Sequence, residues 1–202
     1  MSATPRAAID VSGLPTVSFG SSDLGWWSTV VFMAIEGTTI AVCLVCHIYL
    51  KQNFSTWPPT VPPDLGVATV NTVVLLVIMA PMLLAGRAAR RLDLWRVRLW
   101  LTVAIALSAV AVVLRAYEFG ALNVRWDQTA YGSAAWTTLG FHTSLLVIDL
   151  LETLVLTLIF YIGPVEKRHF SDTDDSAAYQ VFLSLCYLPI YLLVFLLPRW
   201  TR

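Results

Sequence analysis

Five separate stretches of this chain are each long and apolar enough to cross a lipid bilayer, which removes most of the folds open to 202 residues. A hydrocarbon core of ~30 Å takes ~20 mostly apolar helical residues, and only helices or closed barrels satisfy the backbone polar groups inside it. The stretches lie at about 26–50, 67–86, 97–117, 136–163 and 178–198. They predict an all-α, polytopic membrane bundle of five transmembrane helices spanning 26–198, between an N-terminal cytoplasmic segment (1–25) and a C-terminal tail (199–202). Composition agrees: 13% of residues are charged, about half the share in an ordinary soluble domain. No soluble domain and no solenoid-period repeat is visible.

The distribution of charge is more informative than its sum. Thirteen basic and thirteen acidic residues cancel, so bulk charge points to no nucleic-acid partner. The link "GRAARRLDLWRVR" carries Arg87, Arg90, Arg91, Arg96 and Arg98, and such a cluster marks the cytoplasmic side. With Arg6, Lys167 and Arg168 it sets eight basic residues inside against four outside: Lys51, Arg125, Arg199 and Arg202. The expected orientation is therefore N-terminus inside and C-terminus outside. No 7–15-residue apolar core follows a basic start, so the first span is expected to act as its own insertion signal. Trp26, Trp27, Trp57, Trp95, Trp100, Trp126, Trp136 and Trp200 fall near span ends, as an aromatic belt does.

Ionisable groups at mid-membrane cost ~2.5–3.5 kcal/mol each and normally face protein or water. Glu36 stands ten residues into the first span; His142, Asp149 and Glu152 stand in the fourth. Spacings of seven and three residues put the latter three close to one helical face. Two readings stand for them: a proton path or ligand site, or protonated carboxyls hydrogen-bonded to neighbouring helices. Arg115 and Glu118, at the outer end of the third span, read as helix-end anchors whose charges snorkel to the interface. Pro81 and Pro189 interrupt the backbone ladders of the second and fifth spans.

"CLVCH", residues 43–47, has the spacing through which c-type haem is attached covalently, with Cys43 and Cys46 as thioether positions and His47 as an axial nitrogen. The orientation places it near the outer face, where attachment occurs. The alternative is that the cysteines are small buried hydrophobes and the histidine is interfacial. No second ligand pair suggests zinc.

Read in order, the chain resembles subunit III of the haem-copper respiratory oxidases, in its short five-helix form. The resemblance is carried by "FMAIEGTT" with Glu36, "WPP" at Trp57, "NTVVLL" at Asn71, "LRAYEF" with Glu118, "AYGSAAWTTLGFH" with Tyr131 and His142, and a last span after "AAY". It implies a non-catalytic subunit with no catalytic or metal-binding residues of its own. Such a subunit packs beside the haem-bearing catalytic subunit I and subunit II, binds phospholipid in a cleft and sustains proton uptake. Glu36, Trp57, Arg115, Glu118, His142, Asp149 and Glu152 are then the lipid- or proton-related candidates. The expected location is the bacterial inner membrane, in contact with membrane lipids.

The chain departs from the family at several positions. Glutamine is usual where Arg115 stands, a second histidine where Leu145 stands, and histidine and aspartate where Phe182 and Leu185 stand. Asp149 and Glu152 match no family position. These departures suggest a specialised lineage, among them the subunit III-like protein associated with nitric oxide reductase. Two functions from other classes remain beside it: a membrane-anchored electron carrier with haem c at Cys43, Cys46 and His47, and a proton-coupled transporter using Glu36, Asp149 and Glu152. No inverted repeat supports the last.

Overall fold

Hydropathy locates the apolar part of each span, but a helix continues until its backbone finds another partner. In the computed structural model, which describes residues 17–200, all five helices are longer than their apolar stretches. They are α1 (Leu24–Asn53), α2 (Leu65–Arg90), α3 (Leu94–Ala121), α4 (Ala130–Ile162) and α5 (Lys167–Tyr191). Helix α5 continues through a π-helical turn, Leu192–Leu196, into a last α turn, Leu197–Trp200. Each of the five is long and apolar enough to cross a membrane. Arg6 and Arg202 of the charge count, with the rest of 1–16 and 201–202, lie outside the described residues.

Helix α2 is the centre of the bundle and packs most extensively on α3 and α5. Its inward face explains why: Ala68, Ala85, Gly86, Ala88 and Ala89 are all buried, and small residues let membrane helices approach closely. At Gly86 a Cβ would sit 3.1 Å from Asp174 Oδ1 and 3.2 Å from the Ala177 Cβ, so glycine sets the α2–α5 distance there. Helix α1 rests on α4 and α5 rather than on its chain neighbour. Only 6% of its most apolar stretch is buried, against 39% for α2, α4 and α5, so α1 is peripheral.

The largest mismatch with hydropathy is the start of α5, where "KRHFSDTDDSAAYQ" is polar yet helical. Ser171, Asp174, Asp175 and Ser176 are buried there. Arg90 Nε donates to Asp174 Oδ1 at 2.8 Å, and Ser171 Oγ lies 2.6 Å from Asp23 Oδ2 and 2.7 Å from the Ser18 carbonyl. These contacts recruit the polar turns into the bundle.

At the other end, Pro198 cannot donate to the carbonyl four residues earlier, that of Val194. The hydroxyl of fully buried Tyr131 donates to that oxygen at 2.9 Å. Its neighbour Gly132 is needed because a Cβ there would collide with the Arg125 carbonyl oxygen.

Candidate functional site

Two polar centres lie inside the bundle, and they differ in charge balance. The first joins α3, α4 and α5. Arg115 and Glu118, three residues apart and so on one face of α3, are both fully buried. Arg115 Nη1 donates to Glu118 Oε2 at 2.7 Å, and the Tyr187 hydroxyl donates to the same oxygen at 3.0 Å. The guanidinium stacks over the Tyr187 ring, 4.3 Å from its centroid.

Arg115 Nη2 is 3.2 Å from His142 Nδ1, and His142 Nε2 is 3.0 Å from the Leu183 carbonyl. Arginine can only donate, so Nδ1 accepts and the ring proton sits on Nε2, donating to Leu183. That hydrogen-bond pattern fits a neutral imidazole. Arg115 Nε is buried without a partner among the described residues, and the buried Asn71 amide lies beside the Glu118 carboxylate. The expectation that Arg115 and Glu118 snorkel as helix-end anchors is therefore corrected. Helix α3 continues to Ala121, beyond the apolar stretch, and the two charges turn inward to each other.

The second centre joins α1, α4 and α5 around a cleft of about 340 Å³ lined by Phe32, Glu36, Glu152, Asp175, Ser176 and Tyr179, among others. The Tyr179 hydroxyl donates to Glu36 Oε2 at 2.7 Å. Asp149 is 1% exposed, its Oδ1 has no partner among the described residues, and it lies within electrostatic reach of Glu36 and Glu152. Among the described residues no lysine or arginine lines the cleft. His142 and Asp149 are both buried on one face of α4, while Glu152 is exposed at the cleft. They do not form one site: His142 belongs to the Arg115 centre, and Asp149 with Glu152 faces Glu36.

"CLVCH" is arranged opposite to the reading that buries the cysteines and exposes the histidine. Cys46 is exposed, Cys43 half-buried and His47 fully buried. The His47 ring meets Trp57 edge-on at 5.2 Å and Tyr131 at 5.7 Å between centroids, and both its nitrogens lack partners among the described residues. A haem linked to both thiols needs open space for a macrocycle against the imidazole. Trp57 and Tyr131 occupy the surroundings of that ring, so these residues do not fit the haem reading. Trp57 is itself 7% exposed, a wall of this nest rather than part of the aromatic belt. Among the described residues no three His, Cys, Asp or Glu side chains converge as a metal site.

Sequence reasoning missed Tyr179, Asp175, Ser176 and Tyr187. A usable signal existed in helical spacing: Asp175 and Tyr179 are four apart, and Tyr187 follows eight residues after Tyr179. The polar start of α5 hid it.

No family model matches the chain. It is similar to "Cytochrome c oxidase subunit 3" of Thermostichus vulcanus, 21% identical over 175 residues, covering 85% of this chain and 86% of that protein. It is also similar to "Cytochrome c oxidase subunit 3" of Corynebacterium diphtheriae, 26% identical over 136 residues. That match covers 63% of this chain and 64% of the relative, slightly under two thirds of its length. With these similarities and five helices apolar enough to cross a membrane, the chain is related, at the level of family, to cytochrome c oxidase subunit 3.

Proposed function

We propose that this chain is a non-catalytic accessory subunit of a membrane respiratory haem-copper oxidase. It supports assembly, lipid binding and sustained proton uptake by a haem-bearing subunit I with its subunit II. The observation that carries the reading is the similarity to a protein named cytochrome c oxidase subunit 3 over 85% of the chain. The packing supports it: Glu118 and His142, two residues that carry the resemblance, meet at one buried centre, and Glu36 lines a cleft open enough for an amphiphile. In this reading the basic α2–α3 turn lies on the cytoplasmic side of a bacterial inner membrane, and Trp57 and His47 lie toward the outer side.

The test is purification through this chain from native membranes in mild detergent, followed by intact-mass measurement of every subunit. The expected result is a separate large haem-bearing subunit, with this chain at its unmodified mass. A mass increased by one haem would establish the electron-carrier reading instead. A chain that purifies alone and moves protons in vesicles would establish the transporter reading.

A second reading within the same family has its own supporting observation. Arg115, where glutamine is usual in the family, makes a buried ion pair with Glu118. A lineage that has rebuilt this centre is compatible with association with a nitric oxide reductase. The purified complex, offered oxygen and nitric oxide separately, separates the two by which acceptor it reduces.

A further inference from the structure

The α2–α3 turn gathers five arginines, and three of them are held by the protein itself. Arg90 pairs with Asp174. Arg98 Nε donates to the Phe160 carbonyl at 2.8 Å, with its guanidinium 5.3 Å from the Tyr161 ring centroid. Arg96 Nε meets Asp93 Oδ2 at 3.2 Å, which leaves its terminal nitrogens available. Arg87 and Arg91 are exposed, and their guanidinium groups have no ion-pair or hydrogen-bond partner among the described residues.

These available groups border one hollow of about 330 Å³, lined by Leu84, Arg87, Ala88, Arg91, Arg96 and Trp100. Among the described residues no carboxylate lines it. Its register gives it a direction. Leu84, Arg87, Ala88 and Arg91 follow at three- and four-residue steps on one strip of α2, and Arg96 and Trp100 are one turn apart on α3. The tight turn through Leu92, at φ 54°, sets the two strips side by side. Along this groove the lining changes from Arg91 and Arg96 at the turn, through Ala88, Arg87 and Trp100, to Leu84 on the bilayer side. Guanidinium forks match phosphate oxygens bidentately, and basic pockets between membrane helices hold anionic headgroups.

We infer that the groove formed by Leu84, Arg87, Arg91, Arg96 and Trp100 is a binding site for an anionic phospholipid, whose phosphate meets the three arginines and whose glycerol and upper acyl chain lie on Trp100 and Leu84. The site is separate from the Glu36 cleft. It requires only that the chain crosses a bilayer and does not depend on the accessory-subunit reading.

The test is native mass spectrometry of the full chain, released from nanodiscs containing equal parts phosphatidylglycerol and phosphatidylcholine, with inorganic phosphate added in a parallel arm. The wild type should retain phosphatidylglycerol over phosphatidylcholine, and phosphate should not displace it. At about fivefold for each arginine at a membrane surface, Arg87→Gln with Arg91→Gln should lower phosphatidylglycerol occupancy roughly tenfold or more. Both positions are exposed, so the fold should survive, and Arg125→Gln at the far end of the bundle should leave occupancy unchanged. Equal retention of the two lipids, or an unaffected double variant, overturns the proposal. Displacement by free phosphate overturns the assignment to lipid.

Discussion

The two polar centres of this bundle solve the same problem in opposite ways. In the Arg115 centre a cation, a carboxylate, an imidazole and a phenol are sealed together, with charges matched and all four side chains fully buried. In the Glu36 centre four carboxyls, Glu36, Asp149, Glu152 and Asp175, gather with no lining cation among the described residues, and the structure leaves a cleft beside them. A compensated charge pair can be closed off from solvent because each member is the other's solvation. An uncompensated cluster needs access to water, to protons or to a ligand, and so stays near an opening. The first centre is thus a closed contact between helices, and the second stays beside an opening.

That contrast is most sharply tested by breaking the sealed pair. Arg115→Ala leaves Glu118 buried without its cation and should cost about 3–5 kcal/mol of stability, the range for removing one partner of a buried pair. Denaturant or thermal unfolding of the purified chain in micelles would measure it. Arg115→Ala combined with Glu118→Ala should recover part of that loss, because no charge is then left uncompensated. A double variant that is additive would mean the two residues do not act as a pair. Tyr187→Phe keeps the ring under the guanidinium and removes only the hydroxyl donated to Glu118. Its expected cost is about 1.5–3 kcal/mol, the range for a hydrogen bond to a charged group, in the same unfolding assay.

The helices themselves were legible because 20-residue apolar runs have few alternatives in sequence. The helix ends were less so. Hydropathy stops at polar residues, whereas the first turns of α5 are held by Arg90 and by the 18–23 segment, contacts made across more than 80 residues. For the same reason Arg115 and Glu118 read as surface charges: their depth depends on which neighbour stands beside the end of α3. The seven-residue spacing correctly put His142 and Asp149 on one buried face of α4, but spacing along one helix says nothing about which helix each residue meets. Arg115 and the Leu183 carbonyl claim His142, while Glu36 of α1 lies near Asp149. At "CLVCH" the pattern of residue types was plain, and the partners that close around His47 come from Trp57 and Tyr131, ten and more residues away.

The smallest expected effect belongs to the open centre. Glu36→Gln preserves side-chain volume and keeps an oxygen to accept from the Tyr179 hydroxyl, so stability should change by less than about 1 kcal/mol, within the range of one neutral hydrogen bond. If the cleft serves exchange, the consequence should appear in function instead: turnover of the purified complex should begin near wild type and decline faster over successive turnovers. Tyr179→Phe keeps the Glu36 carboxyl and should affect sustained turnover less than Glu36→Gln does. A Glu36→Gln variant that is markedly unstable would place this carboxyl with Arg115 and Glu118 as a structural group. One that is stable and fully sustained in turnover would remove it from the mechanism altogether.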